Sequence, residues 1–492
     1  MADGKNRTIK IKTIYAVLGV LSIGILMIAL NVYQLYHLPW EHALTGFAMP
    51  KPKVAWIFSK EVYHLNHVMN VFGRLGYTTV HATSPPMQWD VMWSFEYPFR
   101  KEMSHMLKNL NKYQMVNHVP GSGFITLKVE LATSKLKWIP KAFQIPKEKS
   151  ALMTEAKLNP NNLWVQKSND HRGIKIVSMN DLDFKAEGSF VQLYISNPLL
   201  IDKRKFDIGV YAVVTSVNPL RVYHYEEEIL IRFCQTDYEP LDVNDITKYV
   251  VGADYDAPSQ MPSLQGYFNH GHFSRKQALF GYLQSQGKDT KKLWKDVRQA
   301  IRETFIAKEK QMSEMMAHYK STNNFFELVR FDFVIDSNMN LWLMEVNMSP
   351  NLSSAGHTEN ALMYEQVVYY ALQLAGAGLL TAKAESEESE QMFVNDRDLM
   401  VDSERCRKLE CLSSCGVECS LCVQCLSDDM KVHFKRAFLE HNSRGNYRRV
   451  LPVPKIEKEA MMKQDLKPSG VKNELLDRWF DRKCEQDIAW CY

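Results

Sequence analysis

The sequence predicts a mixed chain, part α/β and part α+β, bracketed by two unusual ends. Three observations carry this. An uncharged run fills residues 13–36, helix- and strand-patterned segments alternate and then give way to β-rich texture, and six of nine cysteines crowd between Cys406 and Cys425. The expected order is a cytosolic tail (1–12), a transmembrane helix (13–36), a small N-terminal α/β domain (53–150), a β-rich domain (151–380), an acidic linker (381–405) and a cysteine-rich tail (406–492).

The N-terminal run, TIYAVLGVLSIGILMIALNVYQLY, is long enough to cross a bilayer, which takes roughly 20 apolar residues. Tyrosines lie near both ends. Lys5, Arg7, Lys10 and Lys12 precede it, and no basic residue follows until Lys51. The positive-inside rule then leaves the N-terminus in the cytosol and carries the rest across, as a single-pass anchor. A cleaved signal peptide has a shorter apolar region and a small-residue cleavage site. A buried core helix is the remaining alternative.

The small α/β domain starts with VAWIF (54–58), a buried-strand run. Leu65, Val68, Met69, Phe72 and Leu75 then recur at helical spacing, Gly76 ends the helix, and TTVHA forms a second strand. Trp89, Val91 and Trp93 mark a third. Gly121-Ser122-Gly123 is too short for a dinucleotide fingerprint and reads as a turn.

From residue 162 the segments LWVQKS, IKIV, FVQLYI, GVYAVVTS and RVYHYEEEILIRF read as strands separated by turn residues. Leu293, Trp294, Val297, Ile301 and Phe305 then share one face of a helix. FELVRFDFVID and LWLMEVN follow as a hairpin, and residues 361–376 form a last apolar helix. The 384–403 stretch is acidic and polar, as a linker would be.

Eight cysteines lie in the tail and only Cys234 elsewhere. A dense even set fits disulfides in an oxidising compartment, in accord with the anchor's orientation. Zinc ligation and free thiols are the alternatives. The formal charge of +4, from 60 basic and 56 acidic residues, argues against a nucleic-acid partner.

The sharpest constellation is in the late hairpin. Asp332 lies on one strand; Glu345 and Asn347, two apart on the next, share a face. Carboxylates among Phe331, Phe333, Leu343 and Val346 are costly unless paired or bound to a cation. Two carboxylates and an amide oxygen suit Mg²⁺. Lys167 ends a strand before a polar loop containing Arg172-Gly173, which has the makings of a phosphate cover. Lys205 and Asp207 share a strand face, and Gln192-Leu193-Tyr194-Ile195 is a strand end whose backbone suits an adenine edge.

In this order, the segments VNHVPGSGFITLK, WVQKSNDHRGIKI, FVQLYISNPLLIDKRKFDIGVYAVVTSVNPLRVY and FELVRFDFVIDSNMNLWLMEVNMSPNLS resemble the tubulin–tyrosine ligase-like family, over about residues 53–376. The resemblance implies an ATP-grasp fold with a β-rich nucleotide cleft. It implies an ATP-dependent ligase that adds glutamate or glycine to a protein carboxylate through an acyl phosphate. The acceptor would be tubulin, or a secretory-pathway protein if the anchor places the chain in the lumen. By motif position, Lys128, Lys167 and Lys205 would meet phosphates, and Gln192, Leu193, Tyr194 and Ile195 would hold adenine. Asp207 would lie in the nucleotide site, and Asp332, Glu345 and Asn347 would hold Mg²⁺. Arg221 would meet the incoming amino acid's carboxylate, so Lys167 and Arg221 are the expected catalytic pair. Relatives generally carry Arg where Gly209 stands, and Asn where Lys248 stands. The alternative function is a membrane-anchored nucleotide-binding protein with weakened catalysis.

Overall fold

A computed structural model describes residues 3–37, 52–169, 174–377, 393–458 and 466–492. The chain divides into two compact units, Met1–Pro52 and Lys53–Tyr492. In the first, helix α1 spans Asp3–His37. Its Tyr15–Tyr33 stretch is long and apolar enough to cross a membrane, and none of it is buried.

The second unit holds three sheets. Strands β1 (Lys53–Phe58), β2 (Tyr77–His81), β3 (Val91–Ser94) and β4 (Met115–Val116) form a parallel sheet in the order β2-β1-β3-β4. Helix α2 (Asn66–Arg74) packs Val68, Val71 and Phe72 into the core beside it. Strands β5 (Ala142–Ile145), β6 (Trp164–Ser168), β7 (Ile176–Val177) and β8 (Ser189–Leu193) form a small antiparallel sheet, β5-β8-β6-β7.

The third sheet carries the architecture. It comprises β9 (Leu200–Ile201), β10 (Arg204–Val217), β11 (Leu220–Tyr225), β12 (Leu230–Phe233), β13 (Glu327–Ile335), β14 (Leu341–Asn347) and β15 (Tyr447–Leu451). Its main path is β14-β13-β10-β11-β15, with β9 and β12 pairing β10. Alternation along β10 explains its near-continuous apolar run. Ile208, Val210, Ala212 and Val214 enter one core, and Tyr211 and Val213 the opposite one. Helix α3 (Thr290–Met316) covers the first face, capped by the Asp289 carboxylate accepting the Lys292 N–H at 2.9 Å. Helix α4 (Ala361–Ala375) covers the second and ends at Gly376, whose φ of 92° suits glycine.

Three expectations change. RVYHYEEEILIRF is not one strand: it breaks into β11 and β12 at Glu226–Glu228. Two of these acids are taken up by neighbours, Glu226 accepting from Trp294 Nε1 at 2.9 Å and Glu228 from Arg275 at 3.0 Å, while Glu227 is exposed. The linker is polar only in part. Residues 381–392 lie outside the described residues, but Val394, Leu399 and Val401 are buried in the tail's core. The tail, finally, is not a module apart from the third sheet. Its β15 pairs antiparallel with β11, placing Tyr447 opposite Tyr225.

Around that strand, α5 (Asp428–Ser443) and α6 (Val471–Gln486) enclose a core of Phe434, Leu476, Trp479, Phe480 and Trp490. The sulfurs pair as Cys406–Cys422, Cys411–Cys419, Cys415–Cys425 and Cys484–Cys491, leaving Cys234 free and buried.

Candidate active site

The face of the third sheet that α4 covers turns polar beyond the helix. On β10 the series runs Lys205, Asp207, Gly209, Tyr211; on β13 it runs Asp332, Arg330, Leu328. Each series has period two, so its members share one face. There the third sheet meets the small β5–β8 sheet, and a cleft opens between them. Its cavity of about 160 Å³ is lined by Lys128, Lys167, Gln192, Lys205, Asp207, Arg232, Asp332 and Glu345, among others. A second, more apolar cavity of about 590 Å³, bordered by Tyr97, Phe124 and Asn347, meets the first at Lys128.

The hairpin brings the expected acids together. Asp332 pairs directly with Glu345, and Arg330 with Asn347, across a bulge after Asp332. Such a bulge re-aims side chains next to a site. The Asn347 amide nitrogen lies 3.0 Å from Asp332 Oδ2 and 3.2 Å from Glu345 Oε1. Asp332 is 2% exposed, whereas the Glu345 side chain is 31% exposed and opens to the cleft. Burial alone would raise the Asp332 carboxyl, but Arg330 and Arg232 outweigh it and hold it below the ordinary carboxylate range. Asp332 is therefore ionised at neutral pH. Glu345 and Asp332 Oδ1 keep open lone pairs, whereas Asp332 Oδ2 already accepts from Arg330, Arg232 and Asn347. With the Asn347 amide turned to present its oxygen, the three side chains fit a hard cation. Among the described residues no group of three or more His, Cys, Asp or Glu forms a metal cluster, because the third donor here is an amide.

The lysines arrive from three directions. Lys128 begins a short helix, Lys128–Ala132, and its Nζ stands 3.5 Å from Glu345. Its placement has a visible cause. The buried Glu327 carboxylate binds His118 at 2.7 Å and accepts the Val119 N–H at 2.8 Å, clamping the segment before Lys128 to β13. Lys167, on β6, donates to Gln192 Oε1 at 3.1 Å. Lys205 donates to the Tyr249 carbonyl at 2.8 Å. Burial lowers Lys167 to about 8, with Lys128 and Lys205 adding repulsion and Glu345 opposing it.

The Lys167 shift yields a prediction. The unfolded chain holds that proton more tightly than the folded one, so the charged lysine costs stability below pH 8. Stability recovers as pH rises toward the ordinary lysine value of ~10.4. Lys167→Met should melt above the parent at pH 7 while losing activity, and its advantage should shrink by pH 9.5. Thermal melts at both pH values check this; coincident melts at pH 7 would contradict it.

Other expectations sort differently. Gln192, Leu193 and Tyr194 line the cleft. Yet the Leu193 and Tyr194 N–H groups are taken by the Lys141 and Leu163 carbonyls, at 2.8 and 2.9 Å. Ile195 is buried. Arg172 and Gly173 lie outside the described residues. Lys248 Nζ donates to the Asp237 carbonyl at 2.9 Å.

Arg221 requires a correction. It is fully buried, and its Nε donates to both Glu440 oxygens of α5, at 2.8 and 3.1 Å. It is absent from the residues lining either cavity. A guanidinium sealed against the tail cannot receive an incoming carboxylate.

Sequence reasoning missed two cations. Arg232 of β12 grips Asp207 with two hydrogen bonds, 2.9 and 2.8 Å, and reaches Asp332 Oδ2 at 3.0 Å. Arg330 of β13 holds Asp332 at 2.6 and 2.8 Å. The signal was available, since Arg330 and Asp332 alternate with Phe331 and so share a face. The cleft thus gathers Lys128, Lys167, Lys205 and Arg232 against Asp207, Asp332 and Glu345, with Arg330 behind Asp332. Four cations against three carboxylates give a charge balance that suits a polyanion.

A mixed α/β chain with a cation-lined cleft between two antiparallel sheets is the class that fold and site define. The chain belongs to the tubulin-tyrosine ligase family, whose model matches residues 105–385. A Caenorhabditis elegans protein described as probable tubulin polyglutamylase ttll-15 is 43% identical over 440 residues, covering 87% of this chain and 84% of the relative. Tubulin polyglutamylase TTLL5 of Mus musculus is 30% identical over 328 residues, 60% of this chain and 24% of its own. Tubulin monoglutamylase TTLL4 of Homo sapiens is 27% identical over 304 residues, 57% and 25%. The chain thus spans about a quarter of the length of the last two.

Proposed function

We propose that this protein is an ATP-dependent ligase that adds glutamate to a side-chain carboxylate of an acceptor protein. Tubulin is the acceptor named for its relatives. The observation that carries the reading is the excess of cations around Asp332 and Glu345 in the cleft.

The chemistry follows from charge. An acceptor carboxylate attacks the γ-phosphorus of ATP and breaks its bond to the bridging oxygen, giving an acyl phosphate and ADP. The amine of glutamate then attacks the acyl carbon, phosphate leaves, and the amine gives up a proton. Negative charge builds on the moving phosphoryl oxygens, and Lys128, Lys167, Lys205 and Arg232 are placed to meet it. Asp332, Glu345 and Asn347 would hold Mg²⁺, which when bound neutralises phosphate charge. The Gln192–Tyr194 wall faces the base of the nucleotide. We assign the apolar cavity beside Lys128 and Asn347 to the acceptor segment.

The acyl phosphate is tested with an acceptor peptide whose carboxylate carries ¹⁸O. One labelled oxygen per turnover should appear in the released phosphate. Phosphate free of label, with glutamate still transferred, would exclude the intermediate.

We further place the N-terminus in the cytosol and Lys53–Tyr492 across the membrane, supported by the basic residues of α1 that precede its apolar stretch and by the paired cysteines of the tail. Protease added to sealed microsomes should spare the tail until detergent is present. Complete digestion of the tail without detergent would exclude this orientation.

A further inference from the structure

Gly209 is not required by its own backbone conformation, since its φ lies outside the left-handed region. What it lacks is room. A Cβ there would stand 2.8 Å from Arg330 Cδ, 3.2 Å from Arg330 Nε and 3.2 Å from Asp332 Oδ1. Gly209 pairs with Asp332, and Arg330 pairs with Tyr211, so Arg330 sits diagonally across the ladder on the same face. Its side chain lies over the glycine and delivers two parallel hydrogen bonds to Asp332. The arginine is 6% exposed and does not line the cavity, so it acts behind the carboxylate.

We propose that Gly209 and Arg330 form one device: Arg330 is a positioning residue that fixes the Asp332 carboxylate, and Gly209 is the clearing that admits it. The guanidinium expected on β10 at 209 is thereby delivered from β13. The proposal rests on the ligase reading for its activity test, but its steric half stands alone. It carries a counter-intuitive consequence. Restoring arginine at 209 alone injures the site, because the space is taken.

The test uses the full-length protein in detergent, with Gly209→Arg, Arg330→Gly and the double exchange. Melting temperature and the Mg²⁺ concentration giving half-maximal glutamate transfer are both measured. Partners that orient a metal-binding side chain typically set affinity by about 10–100-fold. Arg330→Gly should therefore raise the Mg²⁺ requirement by about tenfold or more. Arg330→Lys, which cannot make the bidentate contact, should fall between. Gly209→Arg should melt below the parent. In the double exchange the arginine at 209 faces Asp332 directly, so melting temperature and Mg²⁺ requirement should both return toward the parent.

A Gly209→Arg protein as stable as the parent would overturn the proposal. So would an Arg330→Gly protein with unchanged Mg²⁺ dependence, or a double exchange no more stable than Gly209→Arg. If the parent transfers no glutamate at all, the ligase reading fails, while the melting comparison still decides the steric device.

Discussion

Glu345→Gln should lower glutamate transfer by about 10²–10³-fold or more. The reason is local. Glu345 is the site carboxylate most open to the cleft, lies 3.5 Å from Lys128, and pairs across the hairpin with Asp332. The amide keeps the shape but removes the negative charge that would hold Mg²⁺ and the lysine together. Fold should survive, because β14 is an edge strand and the side chain is partly solvated. The expected signature is a collapsed kcat with an unchanged melting temperature. Activity within tenfold of the parent would remove Glu345 from the machinery.

The second large effect is on stability. Glu440→Ala leaves the Arg221 guanidinium buried without its carboxylate and also strips the Tyr223 hydroxyl of its partner, 3.0 Å away. Breaking a buried ion pair from one side costs about 3–5 kcal/mol. Nearby His433, pushed down to about 3 by burial and by Arg221, stays neutral and adds no second positive charge, but supplies no negative one in place of Glu440. The variant should lose several degrees of melting temperature. Replacing both partners by apolar residues, as Arg221→Met/Glu440→Leu, should recover much of the loss, since no charge is then stranded. A Glu440→Ala protein melting with the parent would refute the view that the tail braces the catalytic sheet. The same bracing is visible where the Glu457 carboxylate meets Arg298 and Arg302 of α3 at 2.8 and 2.7 Å, and where Asn473 accepts the Leu220 N–H at 2.7 Å.

Much of the site was legible because strand alternation is a strong local rule. It put Glu345 with Asn347 on one side of their strand and Lys205 with Asp207 on one side of theirs, and the short turn at Ser337–Asn340 closed β13 onto β14. The expectation that Arg221 meets a carboxylate comes from motif position in the family resemblance, not from alternation; its carboxylate is Glu440, 219 residues later and within the chain itself. Arg330 was hidden differently. Alternation places it on the face of Asp332, but its role appears only when Gly209 lies beside it from another strand.

The ends were legible in composition and less so in connection. Eight tail cysteines announced pairing, and the structure pairs them all. That YRRVL near 447 would join the main sheet was not readable, because a five-residue strand gains its order from a partner more than 200 residues away. Val394, Leu399 and Val401 looked like linker because acids surround them, yet each has a place in the tail's apolar core.

The most direct test is stoichiometry. Full-length protein in detergent is incubated with Mg-ATP, labelled glutamate and tubulin, with TTLL5 run in parallel. The ligase reading predicts that ADP and protein-linked glutamate rise together, one for one, and that chelating the metal stops both. Absence of transferred glutamate on an acceptor that TTLL5 modifies in the same assay would contradict it.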